Sequence, residues 1–122
     1  MHTNKKTLVL GASDHPSRYS FLAMQRLQAK DHPVVAIGKR KAKVGNILIE
    51  TTKQDWQDID TVTIYLNPQN QKDYYDYILS LRPSRVIFNP GAENPELEAL
   101  CKQHNINPVE ACTLVLLSTG QY

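Results

Sequence analysis

The chain has 122 residues, 41% of them hydrophobic, and a formal net charge of +2. That length fits one domain that can bury a core without disulfides or metal. The composition excludes a disordered chain. No apolar run approaches the ~18 residues needed to span a bilayer, and the start Met1-His2-Thr3-Asn4-Lys5-Lys6 leads into no apolar segment of signal-peptide length. These features predict a cytoplasmic protein with no membrane partner.

Thr7-Leu8-Val9-Leu10 predicts the first strand, and Gly11-Ala12-Ser13-Asp14-His15-Pro16-Ser17-Arg18 a small-residue loop after it. Residues 18–29 predict a helix, with Phe21, Leu22, Met24 and Leu27 on or near one face. Val34-Val35-Ala36-Ile37-Gly38 predicts the second strand, followed by the basic loop Lys39-Arg40-Lys41-Ala42-Lys43. Val44-Gly45-Asn46 predicts a turn, Ile47-Leu48-Ile49 a short strand, and residues 55–60, with Trp56, a turn or helical turn. The β-branched run over residues 61–66 predicts a strand that Asn67-Pro68 ends, and residues 71–81 a helix that Pro83 ends.

Arg85-Val86-Ile87-Phe88 predicts a buried strand, and Asn89-Pro90-Gly91 a turn. A helix is expected over residues 95–104, with Asn94 as its N-cap and Pro95 at its first position. A short strand over residues 107–111 follows, then a last helix that Thr113 caps, running through Leu117 and stopped by Gly120. Alternating strands and helices imply a parallel sheet of about five strands with helices on both faces. The near-continuous apolar runs suit strands buried on both sides.

Two loops carry the functional reading. In a nucleotide-binding α/β fold the first βα loop and the end of the second strand meet at one crevice beyond the carboxyl ends of the strands. Gly11, Ala12 and Ser13 allow close approach of a ligand, and backbone amides at the next helix N-terminus can hold a diphosphate. Ser13 or Ser17 adds a hydroxyl donor, and Arg18 a charged one.

An acid at the end of the second strand would bind the ribose hydroxyls of NAD. Here Lys39, Arg40, Lys41 and Lys43 fill that place, four of the chain's 14 Lys and Arg residues. They suit a ribose bearing an extra phosphate, as in NADP or coenzyme A. The charge is local rather than spread over a face, which argues against nucleic acid. Tyr65, at a strand end, and the loops Asn67-Pro68 and Asn89-Pro90-Gly91 are further candidates for the crevice lining. Tyr74, Tyr75 and Tyr77 read as packing residues with hydroxyls at the rim.

No catalytic set is legible. His2, His15, His32 and His104 fall in unrelated places, and the chain has no GxSxG elbow, Walker lysine motif or HExxH. Cys112 with Glu110 lies at a strand end, where a nucleophile can sit, but no histidine companion can be assigned. Cys101 and Cys112 lack metal spacing, so no zinc site is expected, and both read as reduced thiols in apolar surroundings.

Three segments also carry a resemblance: Gly11-Ala12-Ser13 with Pro16-Ser17-Arg18; Asn89-Pro90-Gly91-Ala92-Glu93-Asn94-Pro95-Glu96-Leu97; and Pro108-Val109-Glu110-Ala111-Cys112-Thr113-Leu114-Val115. Over nearly its whole length the chain resembles the stand-alone CoA-binding domain proteins, related to the CoA-binding domain of the succinyl-CoA synthetase alpha subunit. The resemblance implies a single Rossmann-like domain over residues 1–122 that holds coenzyme A across the strand ends.

It implies phosphate contacts from Gly11, Ala12, Ser13 and Arg18, with Lys41 near the adenosine end. Tyr65, Leu66 and Asn67 would lie beside the adenine or pantetheine path, and Asn89, Pro90 and Gly91 on the far lip. Family members often carry Asn-Pro after the second strand, where this chain has Gly38-Lys39, so Lys39, Arg40, Lys41 and Lys43 all stay candidates. The synthetase's phosphohistidine lies in a second domain, so synthetase activity is not inherited. The sequence favours a binding or regulatory module for CoA or an acyl-CoA. An NADP-type dinucleotide binder, or a subunit active only with a partner protein, are the alternatives.

Overall fold

Apolar, β-branched runs place seven strands in one sheet: β1 (Thr7–Ala12), β2 (Val34–Gly38), β3 (Ala42–Val44), β4 (Ile47–Glu50), β5 (Thr61–Ile64), β6 (Arg85–Phe88) and β7 (Asn107–Glu110). The computed structural model describes residues 4–122. The first three residues, including His2 and part of the basic start, lie outside the described residues. Across the sheet the order is β3-β4-β2-β1-β5-β6-β7. Every neighbouring pair is parallel except the β3–β4 hairpin.

The five main strands expected are present, the short strand expected at residues 47–49 is β4, and β3 is the one strand added, in place of the end of the basic loop and the first residue of the expected turn. The end of the basic loop is therefore strand: Ala42 pairs with Ile49 and Lys43 with Leu48. Trp56 lies in irregular chain rather than in a helical turn.

Successive residues of a strand face opposite sides of the sheet. On one side Val9, Ala36 and Ile49 pack with Met24 and Leu27 of α1 (Tyr19–Ala29) and Leu117 of α5 (Thr113–Ser118). On the other side Leu8, Leu10, Val62, Ile64, Val86 and Phe88 pack with helix residues further along the chain. These are Ile78 of α3 (Tyr75–Leu81) and Leu97 and Cys101 of α4 (Pro95–Gln103). Each buried Val, Leu, Ile, Met or Phe among them contributes about 1.5–3 kcal/mol. Helices thus cover both faces, as a doubly wound α/β sheet requires. Among the described residues no helix is long and apolar enough to cross a membrane.

The helical region after β5 starts earlier than the pattern predicts. Asn67 accepts the Asn70 amide through its side chain and caps α2 (Pro68–Gln71), with Pro68 in the first turn. A 3-10 turn (Lys72–Tyr74) then leads into α3. α4 begins the same way, with Asn94 accepting the Leu97 amide at 3.2 Å. Cys112, not Thr113, is the N-cap of α5.

Candidate functional site

The chain turns from β1 to β2 on one side and later returns to place β5 on the other. The strand order therefore diverges between β1 and β5, where open α/β sheets bind ligands at the carboxyl ends. A crevice of about 650 Å³ lies there, within the range of small-molecule sites.

Gly11 gives this end of the sheet its shape. Its φ is +85°, and a Cβ there would lie 2.9 Å from the Tyr65 carbonyl carbon. Only glycine fits a left-handed backbone packed this closely. The sheet register shifts between Leu10 and Ala12, and the Tyr65 amide bonds the Leu10 carbonyl at 2.8 Å. At the end of β2 a Cβ on Gly38 would run into the Ala12 carbonyl oxygen. The first three loops are thereby held against one another.

Of the residues expected at the site, Gly11, Ala12, Ser13, Ser17, Arg18, Lys39, Arg40, Tyr65, Leu66, Asn67, Pro90 and Gly91 line this one crevice. Lys41, Lys43 and Asn89 are not among its lining residues. Lys41 Nζ is 3.8 Å from Glu50, and Lys43 sits in the β3–β4 hairpin. Asn89 is buried below the crevice. Its Nδ2 donates to Thr63 Oγ1 at 2.7 Å and to the Ile64 carbonyl at 2.9 Å, and its Oδ1 accepts the Thr113 amide at 2.9 Å. Asn89 thus ties together the ends of β5 and β6 and the start of α5.

The loop after β1 is organised by its own polar side chains. The His15 amide donates to Ser13 Oγ at 3.0 Å, and Ser17 Oγ lies 2.7 Å from His15 Nδ1. These bonds turn the chain so that α1 points its N-terminus at the crevice. Arg18 is its N-cap, with no side-chain cap and no acid in the first turn. The first-turn amides and the positive end of the helix are left to an anion.

A second brace joins the other two loops. The buried Gln71 side chain donates to the Leu66 and Ala92 carbonyls, both at 2.8 Å, and accepts from Asn94 Nδ2 at 2.9 Å. Tyr65 is among the lining residues, and its buried hydroxyl makes no hydrogen bond among the described residues. The Thr63 and Thr113 hydroxyls nearby bond to each other at 2.8 Å instead. Burial pushes the Tyr65 phenol up to about 12, so it stays neutral.

Asp14, Tyr19, Asn70, Tyr74 and Ala92 also line the crevice and were missed in the sequence. Asn67, Asn70 and Tyr74 share a face at helical spacing once Pro68 is read as a first-turn proline. That signal was present in the residues. Asp14 carried none beyond its place in the loop.

This architecture has known relatives. Residues 5–118 match the family described as CoA binding domain. The chain belongs to the CoA binding domain family. Among solved structures, one described as an uncharacterized protein is 47% identical, covers 99% of this chain and 100% of its own, and superposes with a TM-score of 0.96. A Thermus thermophilus protein described as cell-free ID.343 is 22% identical over 98% of this chain and 91% of its own, with a TM-score of 0.84. A hypothetical protein from Pyrococcus horikoshii OT3 is 19% identical over 95% and 83%, with a TM-score of 0.85. At that identity the last two show the fold alone, a single α/β Rossmann-like domain. No curated protein matches the chain.

Proposed function

We propose that this chain binds coenzyme A or an acyl-CoA non-covalently in the crevice, as a binding or regulatory module. The observation that carries the reading is that Arg18, Lys39 and Arg40 line the same crevice as the uncapped N-terminus of α1. The diphosphate would take the first-turn amides and Arg18, and the 3′-phosphate would take Lys39 or Arg40. No acid occupies the end of β2, where NAD would need one. Family membership supports the same ligand. Two free cysteines, Cys101 buried and Cys112 half-buried, fit a reducing compartment, and we place the protein in the cytoplasm.

Calorimetry tests the ligand. CoA is expected to bind at least ten-fold more tightly than NAD, a difference of about 1.4 kcal/mol. Dephospho-CoA should lose affinity because it lacks the 3′-phosphate. Equal affinity for NAD and CoA overturns the reading, and NADP binding more tightly than CoA replaces it with a dinucleotide site.

A further inference from the structure

We propose that the crevice selects acyl-CoA thioesters with an uncharged acyl group and rejects those whose acyl group ends in a carboxylate. This selectivity rests on the CoA binding proposed above. The charge of the crevice is one-sided. Its cations, Arg18, Lys39 and Arg40, stand where β1 and β2 end. Beyond β5 and β6 the lining contains Leu66, Asn70, Tyr74 and Gly91, and no Lys or Arg among the described residues. An acid stands behind the far lip, outside the lining: Glu93 Oε1 accepts the Gly91 amide at 2.8 Å. That amide is therefore closed to a ligand anion. Lys53 lies over the Tyr74 ring, with Nζ 5.5 Å from its centroid, but it lines a separate hollow that shares no residue with the crevice.

The phosphates collect at the cations, so the thioester arm runs into the β5–β6 half. An acyl carboxylate there would shed water with no lining cation to replace it, and the carboxylate bonded to the Gly91 amide would add repulsion through the field behind the lip. A short alkyl acyl group would lie against Leu66 and Tyr74 without either cost.

The test is calorimetry with CoA, butyryl-CoA and succinyl-CoA. Butyryl-CoA is expected within about three-fold of CoA, and succinyl-CoA about ten-fold or more weaker. Succinyl-CoA bound as tightly as CoA overturns the selectivity while leaving the proposed function standing. Failure of CoA itself to bind overturns both. Two variants read the cause. Glu93→Gln keeps an acceptor for the Gly91 amide and should narrow the gap between butyryl- and succinyl-CoA. Asn70→Lys adds a cation to the neutral half and should raise succinyl-CoA relative to CoA by about ten-fold. A gap that neither variant moves overturns the electrostatic account.

Discussion

Arg40 Nη2 stands 3.4 Å from Asp14 Oδ1, so an ion pair joins the loop after β1 to the loop after β2 at the mouth of the crevice. The Arg40 side chain is 80% exposed and that of Asp14 45%, and such a surface pair adds little to stability. Its consequence is local: the Asp14 carboxylate holds the guanidinium that an incoming phosphate would use. Asp14→Asn is therefore expected to tighten CoA binding by about two- to five-fold, with the unfolding midpoint nearly unchanged. Calorimetry on the variant decides it. Weaker binding would make Asp14 a ligand acceptor instead.

The four cations after β2 separate by position. Arg40 lines the crevice, whereas Lys41 is beside Glu50 and outside the lining. Arg40→Glu removes a charge-assisted bond and adds repulsion, so CoA affinity should fall by more than ten-fold, a loss of roughly 1.5–3 kcal/mol or more. Lys41→Glu should cost only a few-fold, through the long-range field. Equal losses in the two variants would place the 3′-phosphate nearer Lys41 than the lining implies.

These contrasts show what the sequence could and could not convey. Residues 7–10, 34–38 and 85–88 are apolar runs with few alternatives, and each lies within a strand. β3 was illegible because three residues, one of them the exposed Lys43, carry no periodicity and pair only through the hairpin. Asn67-Pro68 and Asn94-Pro95 are the same signature, an Asn cap followed by a first-turn Pro. Only the second reads as one in the sequence, because a strong strand precedes the first and its Pro passes for a strand breaker. The crevice was legible through its loops. The division of labour between lining residues and Asn89 was not, since it depends on which way one buried amide points.

Gly38 offers a test of how tightly the loops are packed. A methyl group there meets the Ala12 carbonyl oxygen and comes within 2.9 Å of Ile49 Cγ2. Backbone oxygen and a packed side chain cannot both yield, so Gly38→Ala is expected to cost about 1–3 kcal/mol or more. Gly91→Ala meets nothing within 4 Å but forces a side chain onto φ +92°, at about 1 kcal/mol or more. Urea unfolding of the two variants should rank Gly38→Ala as the more damaging. The reverse ranking would mean that β1 and β2 can separate at this end without loss.

Asn89 is expected to matter for stability first. Asn89→Ala leaves the buried Thr113 amide without its acceptor and the Ile64 carbonyl without a donor, costing about 2–4 kcal/mol. Asn89→Asp keeps the acceptor for Thr113 and should recover part of the loss near the acid end of the pH range, where a protonated carboxyl can still donate. A variant as stable as the parent would show that water replaces the amide.

His32 makes stability depend on pH. Its Nδ1 accepts the Lys5 backbone amide at 2.9 Å, which needs an unprotonated nitrogen there. Burial, then the Lys5 and Arg85 charges, hold its pKa below the ordinary 6.5, with Asp31 and Asp60 opposing. The unfolded chain keeps the ordinary value, so between the two values it binds more protons than the folded protein does. Stability contributed by neutral His32 is thus fully present above about pH 6.5 and is lost as pH falls through the folded value. Glu98 acts with the opposite sign. Burial and its neighbour Glu110 raise its carboxyl pKa, so its contribution is lost as pH rises through its own folded value. That term is common to parent and variant and cancels in their difference. Urea midpoints at about pH 7.5 and about pH 5.5 should therefore differ more in the parent than in His32→Gln. A variant that loses as much stability as the parent over that interval would assign the pH dependence to other groups.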